Sequence, residues 1–557
     1  MIWHIFRKDW ALLWPFVILV AGLQFVNAAT WVQIQMSPFE FLRLEQTGLV
    51  TLAMVFFAMV MLIVATVHQD AIPSVRQDWL TRPIRRRDLL IAKLLFVLIA
   101  VHGPMFLANL VQVAATGFDL GDAFSAALWR GIYVLLAVSL PMLAVATMTR
   151  TLVEFVANIL TIGLVYFVIL LIASALFPTA FPVYSSGMDW LPGMWGALWL
   201  VAVLVGAAVI IPLQYFRRAT VRARHIALGA LLLAQLSMFT PWAPAFSFQQ
   251  LLSDDPAAAK AIAIGFDPSL GKAAQQLECL IRPSVSLSMQ MTCEASGSGK
   301  SVYVPLRVLG LPPESFVQTD RADVRIVGPD GATLFHGHAT RDPQIKGNRG
   351  VPRAMLGDFP VRTAAGGDVR AHQRIDLPVN IYKLVRTQKV RIELDYDLTL
   401  FRLQAANSVA AVNSDKRMAT FGRCRTRIDD DGRTVQLSCL KIGEGSRCII
   451  ATLEHPRTGQ RNPLSYGCRT NPRYWPFNAQ VPFDLFAFID WTSEKLDFRD
   501  PQGLVKYPVG GAQIADAQVA LKSYRPVAHF RRHLVIPAVR LGDWEAAAGQ
   551  TVANGAP

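Results

Sequence analysis

A few runs of residues in this sequence have the types and spacing that chemistry requires. Glu294-Ala295-Ser296-Gly297-Ser298-Gly299-Lys300-Ser301 ends in the Gly-Lys-Ser of a phosphate-binding loop. That loop needs a second glycine at the position of Glu294, because backbone amides must wrap the phosphates closely. A carboxylate there repels phosphate, so the run reads as a glycine-serine turn. His336 and His338 alternate along a strand-like stretch and share one face. A zinc site takes three or four ligands, and no third stands nearby, so both read as surface histidines. Asp429-Asp430-Asp431-Gly432 lacks the alternating acid spacing of a calcium loop. Its Asp-Gly instead signals a hairpin turn. No Ser-His-Asp, paired-carboxylate or Cys-His constellation can be assigned by spacing. The expectation is a chain that is no enzyme, with no metal and no cofactor of its own.

The six cysteines, Cys279, Cys293, Cys424, Cys439, Cys448 and Cys468, all lie in the second half of the chain. An even number confined to one region suggests disulfides, which need an oxidising compartment. A two-residue turn at Asp431-Gly432 puts Cys424 opposite Cys439. Cys279 with Cys293 and Cys448 with Cys468 would complete a set of local pairs. Fifteen connectivities remain open for six cysteines, and six free thiols are the alternative.

The first half is built differently. Apolar runs cover approximately 11–30, 47–67, 89–116, 127–149, 152–177, 193–214 and 226–243. Each reaches or approaches the roughly 20 residues that cross a bilayer. The last is the shortest. The third can tilt, or break at His102-Gly103-Pro104, since proline removes a helix hydrogen bond. The first is read as an uncleaved span, being long for the apolar core of a signal peptide. Polar residues inside such runs are functional candidates because lipid makes them costly. His102, Asn109 and Gln112 share one face of the third run, and Glu154 and Asn158 share a face of the fifth. They could line a pathway; hydrogen bonding that holds helices together is the favoured reading, because such polar contacts are common in membrane bundles.

Charge sets the orientation. With the N-terminus in the cytoplasm, the inner segments carry Arg7, Lys8, Arg76, Arg82, Arg85, Arg86, Arg87, Lys93, Arg150, Arg217, Arg218, Arg222 and Arg224. The short outer loops carry Arg43 and Arg130. Positive-inside bias therefore accounts for the basic residues of this half, and the net charge of +14 needs no nucleic-acid partner. Seven spans place everything after residue 245 outside the cytoplasm, where the cysteines would be oxidised. Six would leave it inside.

Residues 69–95 join the second and third runs. Acidic and basic residues mix with Trp79 and Leu80, Pro83 interrupts the chain, and Asp88 is placed to cap the next helix. This pattern fits a short amphipathic elbow at the membrane surface. The run Trp79-Leu80-Thr81-Arg82-Pro83-Ile84, with Arg85 to Leu90 and Lys93, resembles the loop after the second span in ATP-binding-cassette transporter permeases of the type 2 exporter class. Trp3-His4-Ile5-Phe6-Arg7-Lys8-Asp9-Trp10 is similar to the amphipathic lead-in of those permeases. The resemblance covers residues 1–245. It implies a permease half that docks a separate, ATP-hydrolysing subunit and pairs with a second half, as a homodimer or otherwise, in a bacterial inner membrane. The docking residues it implies are Arg7, Lys8, Trp79, Arg82, Pro83 and Arg85. Topology alone explains the same arginines.

From about residue 300, short alternating runs separated by turn signals suggest a β-sandwich-like region, in one module or in two with a break near 405. The fold expected is a transmembrane helical bundle over 1–245 followed by a mainly-β extracytoplasmic domain over 246–557. A membrane-anchored binding or sensory protein without transport activity is the alternative. The substrate, the direction of transport and the outer domain's ligand are not written in the sequence.

Overall fold

The computed structural model describes residues 1–36, 41–70, 85–176, 192–236, 242–270, 299–338, 355–356, 369–418, 420–428, 434–442, 448–457, 489–497, 514 and 516–544. The chain divides into two compact units. One comprises Met1–Pro241 with Ser438–Gly445 and Pro472–Ser493, the other Trp242–Leu437, Ser446–Asn471 and Glu494–Pro557. The boundary falls close to the expected residue 245.

The first unit is helical. Its helices are α1 (Ile2–Met36), α2 (Phe41–His68), α3 (Arg86–Val97), α4 (Gly103–Ala115), α5 (Leu120–Val134), α6 (Leu140–Thr147), α7 (Leu152–Leu176), α8 (Pro192–Pro212) and α9 (Thr220–Leu236). Five helical stretches are long and apolar enough to cross a membrane: Ile2–Gln33, Val50–His68, Arg86–Ala115, Ala123–Thr147 and Leu198–Arg217. This is a membrane protein. The fifth expected run lies on α7. The seventh, expected over 226–243, is not one helix among the described residues. α9 has 17 residues and starts early enough to include Arg222 and Arg224, which leaves only its later turns apolar.

Two of the long stretches owe their shape to proline. α3 and α4 are joined by a π-turn, Leu98–His102, and α5 and α6 by another, Leu135–Ser139. Pro104 and Pro141 follow two residues after each turn and have no N–H to give the carbonyl four residues back. The wider turn lets the N–H of Gly103 reach the carbonyl of Leu98, and that of Leu140 reach Leu135. Thus the third span does not break at His102-Gly103-Pro104; a π-turn over Leu98–His102 accommodates the proline and keeps the stretch continuous. Asp88 does not cap α3. The helix begins at Arg86, with Arg85 at the cap position, so Asp88 lies inside the first turn, where its charge complements the free N–H groups. Small residues set the spacing of α8 and α9: a Cβ added to Gly206 would come 2.7 Å from that of Ala230. Arg130, expected in an outer loop, is buried within α5.

In the second unit, short helices α10 (Trp242–Leu251) and α11 (Pro256–Lys260) lead into strands. These are β1 (Ala263–Phe266), β2 (Gly299–Leu309), β3 (Ser315–Val327), β4 (Thr333–His338), β5 (Met355–Leu356) and β6 (Val369–Pro378), then helix α12 (Val379–Thr387). There follow β7 (Val390–Ala410), β8 (Asp415–Met418), β9 (Gly422–Ile428), β10 (Thr434–Ile442), β11 (Cys448–Glu454), β12 (Ile489–Asp497) and β13 (Gln518–Val539). One sheet runs β11-β13-β7-β3-β4, with β5 beside β3; a second runs β1-β2-β6; a third runs β12-β10-β9-β8. Alternation along β7 sends Ile392, Leu394, Tyr396, Leu398 and Leu400 to one face. That face shares a core with Val302, Val304, Leu306 and Val308 of β2 and Ile375 and Leu377 of β6. The sandwich-like expectation holds for these two sheets. The suggested break near 405 does not, because β7 passes through that position and pairs with β13 along most of its length. Gly310 is glycine of necessity: its φ is +70° and a Cβ would sit 2.0 Å from the carbonyl of Ala261.

Candidate functional site

The most unusual chemistry lies where α1, the end of α2 and α3 meet. Lys93, two turns into α3, is 1% exposed. Its Nζ lies 2.9 Å from Asp9 Oδ2 and 2.7 Å from Asp70 Oδ2. Lys8 Nζ reaches Asp70 Oδ1 at 2.9 Å from the solvent side. Two cations and two carboxylates so form one closed network, with Asp9 fully buried. Beside it, Trp3, Phe6 and Trp10 stack along one face of α1, and Phe96 of α3 packs on Phe6 at 5.8 Å and on Trp10 at 6.2 Å. Burial by itself would raise the Asp70 carboxyl, but Lys93 and Lys8 outweigh it and hold it below the usual carboxylate range. Desolvation makes such a network a poor source of net stability, while removing one member strands a buried charge at roughly 3–5 kcal/mol. The arrangement acts as a clamp: it fixes the two edges of the segment 71–84 to the start of the chain.

Deeper in the bundle the two π-turns face each other. His102 and Ser139 are the last residues of their turns, and Nε2 and Oγ lie 2.9 Å apart in a buried setting. About two helical turns beyond His102, Arg130 donates to Asn109 Oδ1 at 2.8 Å. Gln24 of α1 donates to the carbonyl of Val101 at 3.2 Å, beside the same turn. On α7, Glu154 pairs with Arg224 of α9 at 2.7 Å and accepts from the N–H of Arg150 at 2.8 Å. Among the described residues these polar groups bridge helices.

The expected residues therefore fall into separate groups. Lys8 belongs to the buried network; Arg7 and Arg85 are exposed near it. Trp79, Arg82 and Pro83 lie outside the described residues. His102 and Asn109 each meet a partner on the α5–α6 stretch. Gln112 is buried on the same face of α4. Asn158 is half-buried, one turn beyond Glu154.

Spacing along the sequence does not join Asp9, Asp70 and Lys93 into a site, and Arg130 lies within a helix and not in a loop. The signal was present: Lys93 and Arg130 stand within apolar runs, where an ionisable group calls for a partner.

Cys424 and Cys439 form a disulfide, across neighbouring strands β9 and β10. Cys279, Cys293 and Cys468 lie outside the described residues, so the other two pairings do as well. Gly299, Lys300 and Ser301 open strand β2, whereas a phosphate-binding loop leads into a helix. No group of three metal-ligating side chains occurs among the described residues. Thr399 accompanies Asp320 and His529 across three adjacent strands. Its hydroxyl lies 2.8 Å from His529 Nδ1 and bonds the Asp320 carboxylate. Being fully buried, Thr399 is placed to hold the strands together and not to meet a substrate.

No family model, curated protein or solved structure matches the chain. The functional reading rests on its own residues.

Proposed function

We propose that the chain is the membrane-spanning permease subunit of an ATP-driven transporter, with the ATPase on a separate chain. The observation that carries this reading is the network of Lys8, Asp9, Asp70 and Lys93. A motor pressing on the 71–84 segment from the cytoplasm would move a charged clamp that cannot separate without exposing buried ions to a low-dielectric surrounding. The push would pass to α1 and α3 together, and along α3 to the π-turn at His102. A mere anchor has no use for such a coupling. Arg7, Lys8, Trp79, Arg82, Pro83 and Arg85 are the docking residues in this reading, ATP is bound by the partner, and two permease halves pair. The chain would cross a bacterial inner membrane seven times, α7 and α9 completing the five long stretches. The N-terminus lies in the cytoplasm and the second unit outside it.

The test is co-purification of the full chain from its native host. The ATPase should accompany the wild type and be lost from Arg82→Glu with Arg85→Glu, while the variant still reaches the membrane. Absence of any ATPase from the wild type in every detergent tried would sink the reading. It would favour a membrane-anchored binding or sensory protein, whose support is the second unit's separate core. A reporter fused after residue 250 tests the topology; cytoplasmic activity would overturn the seventh crossing.

A further inference from the structure

α10 has an inverted face. Phe246 is fully buried and Gln249 nearly so. The helix is held to β13 by Arg531, which donates to the Ala243 carbonyl at 2.8 Å and to Ser247 Oγ at 3.2 Å and lies over the Phe246 ring. The opposite side is apolar and open. Phe248 and Leu251 share one face of the helix, Leu252 follows directly after its end, and the three are 43%, 82% and 55% exposed. A stripe of this kind at a fixed, well-held position calls for a partner.

We infer that this face of α10 lies in the lipid interface, with Phe248, Leu251 and Leu252 seated at the boundary between headgroups and acyl chains. Two observations name the bilayer as occupant. The first is reach. Only residues 237–241 separate α10 from the end of α9, and a chain of that length spans at most about 20 Å. α9 itself turns Leu228, Leu232 and Leu233 outward from the helical bundle, so α10 follows an apolar, outward-facing helix by no more than that length of chain. The second is charge. The acids that follow the stripe are each met by arginine: Asp255 pairs with Arg402 at 3.0 Å and Asp254 with Arg525 at 3.7 Å. Neutralised in this way, they do not repel an anionic surface. An amphipathic helix lying in the interface plane buries its apolar side to this shallow depth. The inference rests on the chain being a membrane protein and not on the transport reading.

Photo-crosslinking tests it. Benzoylphenylalanine replaces Phe248, Leu251, Gln249 or Asp254, one at a time, in the full chain reconstituted in phosphatidylethanolamine–phosphatidylglycerol nanodiscs. Irradiation followed by mass spectrometry should give lipid adducts at 248 and 251 in severalfold excess over 249 and 254. Equal, low lipid adducts at all four positions would overturn the inference. So would adducts at 248 and 251 made chiefly to a second copy of the chain. Retention of the size-exclusion profile by Leu251→Ser, whose backbone context is unchanged, shows that the readout is not one of misfolding.

Discussion

His102 Nε2 and Ser139 Oγ lie 2.9 Å apart, and each residue closes a π-turn two positions before a proline. The same local defect thus occurs on two neighbouring stretches and is joined by one hydrogen bond. Ser139→Ala should leave the imidazole nitrogen buried without its partner and cost about 1–3 kcal/mol. His102→Leu with Ser139→Ala should cost less than the two single changes summed, since both ends of the bond are then removed. Thermal unfolding of the full chain in nanodiscs reads the cycle; strict additivity would deny the coupling.

Lys93 holds two carboxylates. Lys93→Met should destabilise the helical unit by about 3–5 kcal/mol, because Asp9 and Asp70 remain buried without their cation. The triple variant Lys93→Met, Asp9→Asn, Asp70→Asn should recover much of the loss. A triple variant as unstable as Lys93→Met would mean that packing volume, not charge, decides the site. The yield of monodisperse protein and its melting temperature both report the outcome.

The Cys424–Cys439 bridge closes a short loop between β9 and β10. Changing both cysteines to serine should lower the stability of the second unit by about 3 kcal/mol, the chain-entropy value for a loop of this size. Peptide mapping without reductant should recover Cys424 and Cys439 in one linked peptide. Free thiols at both positions in protein from its native membrane would contradict the oxidising compartment.

His529 gives the second unit a pH dependence. Burial pushes its imidazole below the ordinary value of 6.5, and the carboxylates of Asp320 and Asp254 offset this only in part. The folded ring stays neutral where the unfolded chain takes up a proton. Stability should therefore fall as pH drops through about 6.5 and level off once the folded ring is itself protonated. The opening free energy of the β7 and β13 amides, taken from hydrogen exchange after correction for the intrinsic pH dependence of the exchange rate, should fall over that window in the wild type. The His529→Gln variant should show a flatter profile; an unchanged slope would assign the effect to another group.

Composition and run length in the sequence already settle the division into an apolar helical half and a β-rich half, because each depends on local chain properties. The irregularity before Pro104 follows from proline's missing N–H, and the expected facing of Cys424 and Cys439 is met by their disulfide, with the turn at Asp431-Gly432 outside the described residues. The run 226–243 is not one helix among the described residues, because apolar content does not locate a helix start. α9 begins at Thr220 and spends its first turns on arginines. The break near 405 failed because turn signals are weak inside a strand whose inner face is fully packed.

What the sequence by itself determined was which residues prefer lipid, which alternate along strands and where the chain must turn. Only the tertiary structure decided which charges meet. Asp9, Asp70 and Lys93 are separated by 61 and 23 positions, and no local rule links an acid in one helix to a lysine in another. Their pairing comes from the packing of α1 against α3, which brings Phe6 and Trp10 onto Phe96 and sets Lys93 between the two carboxylates.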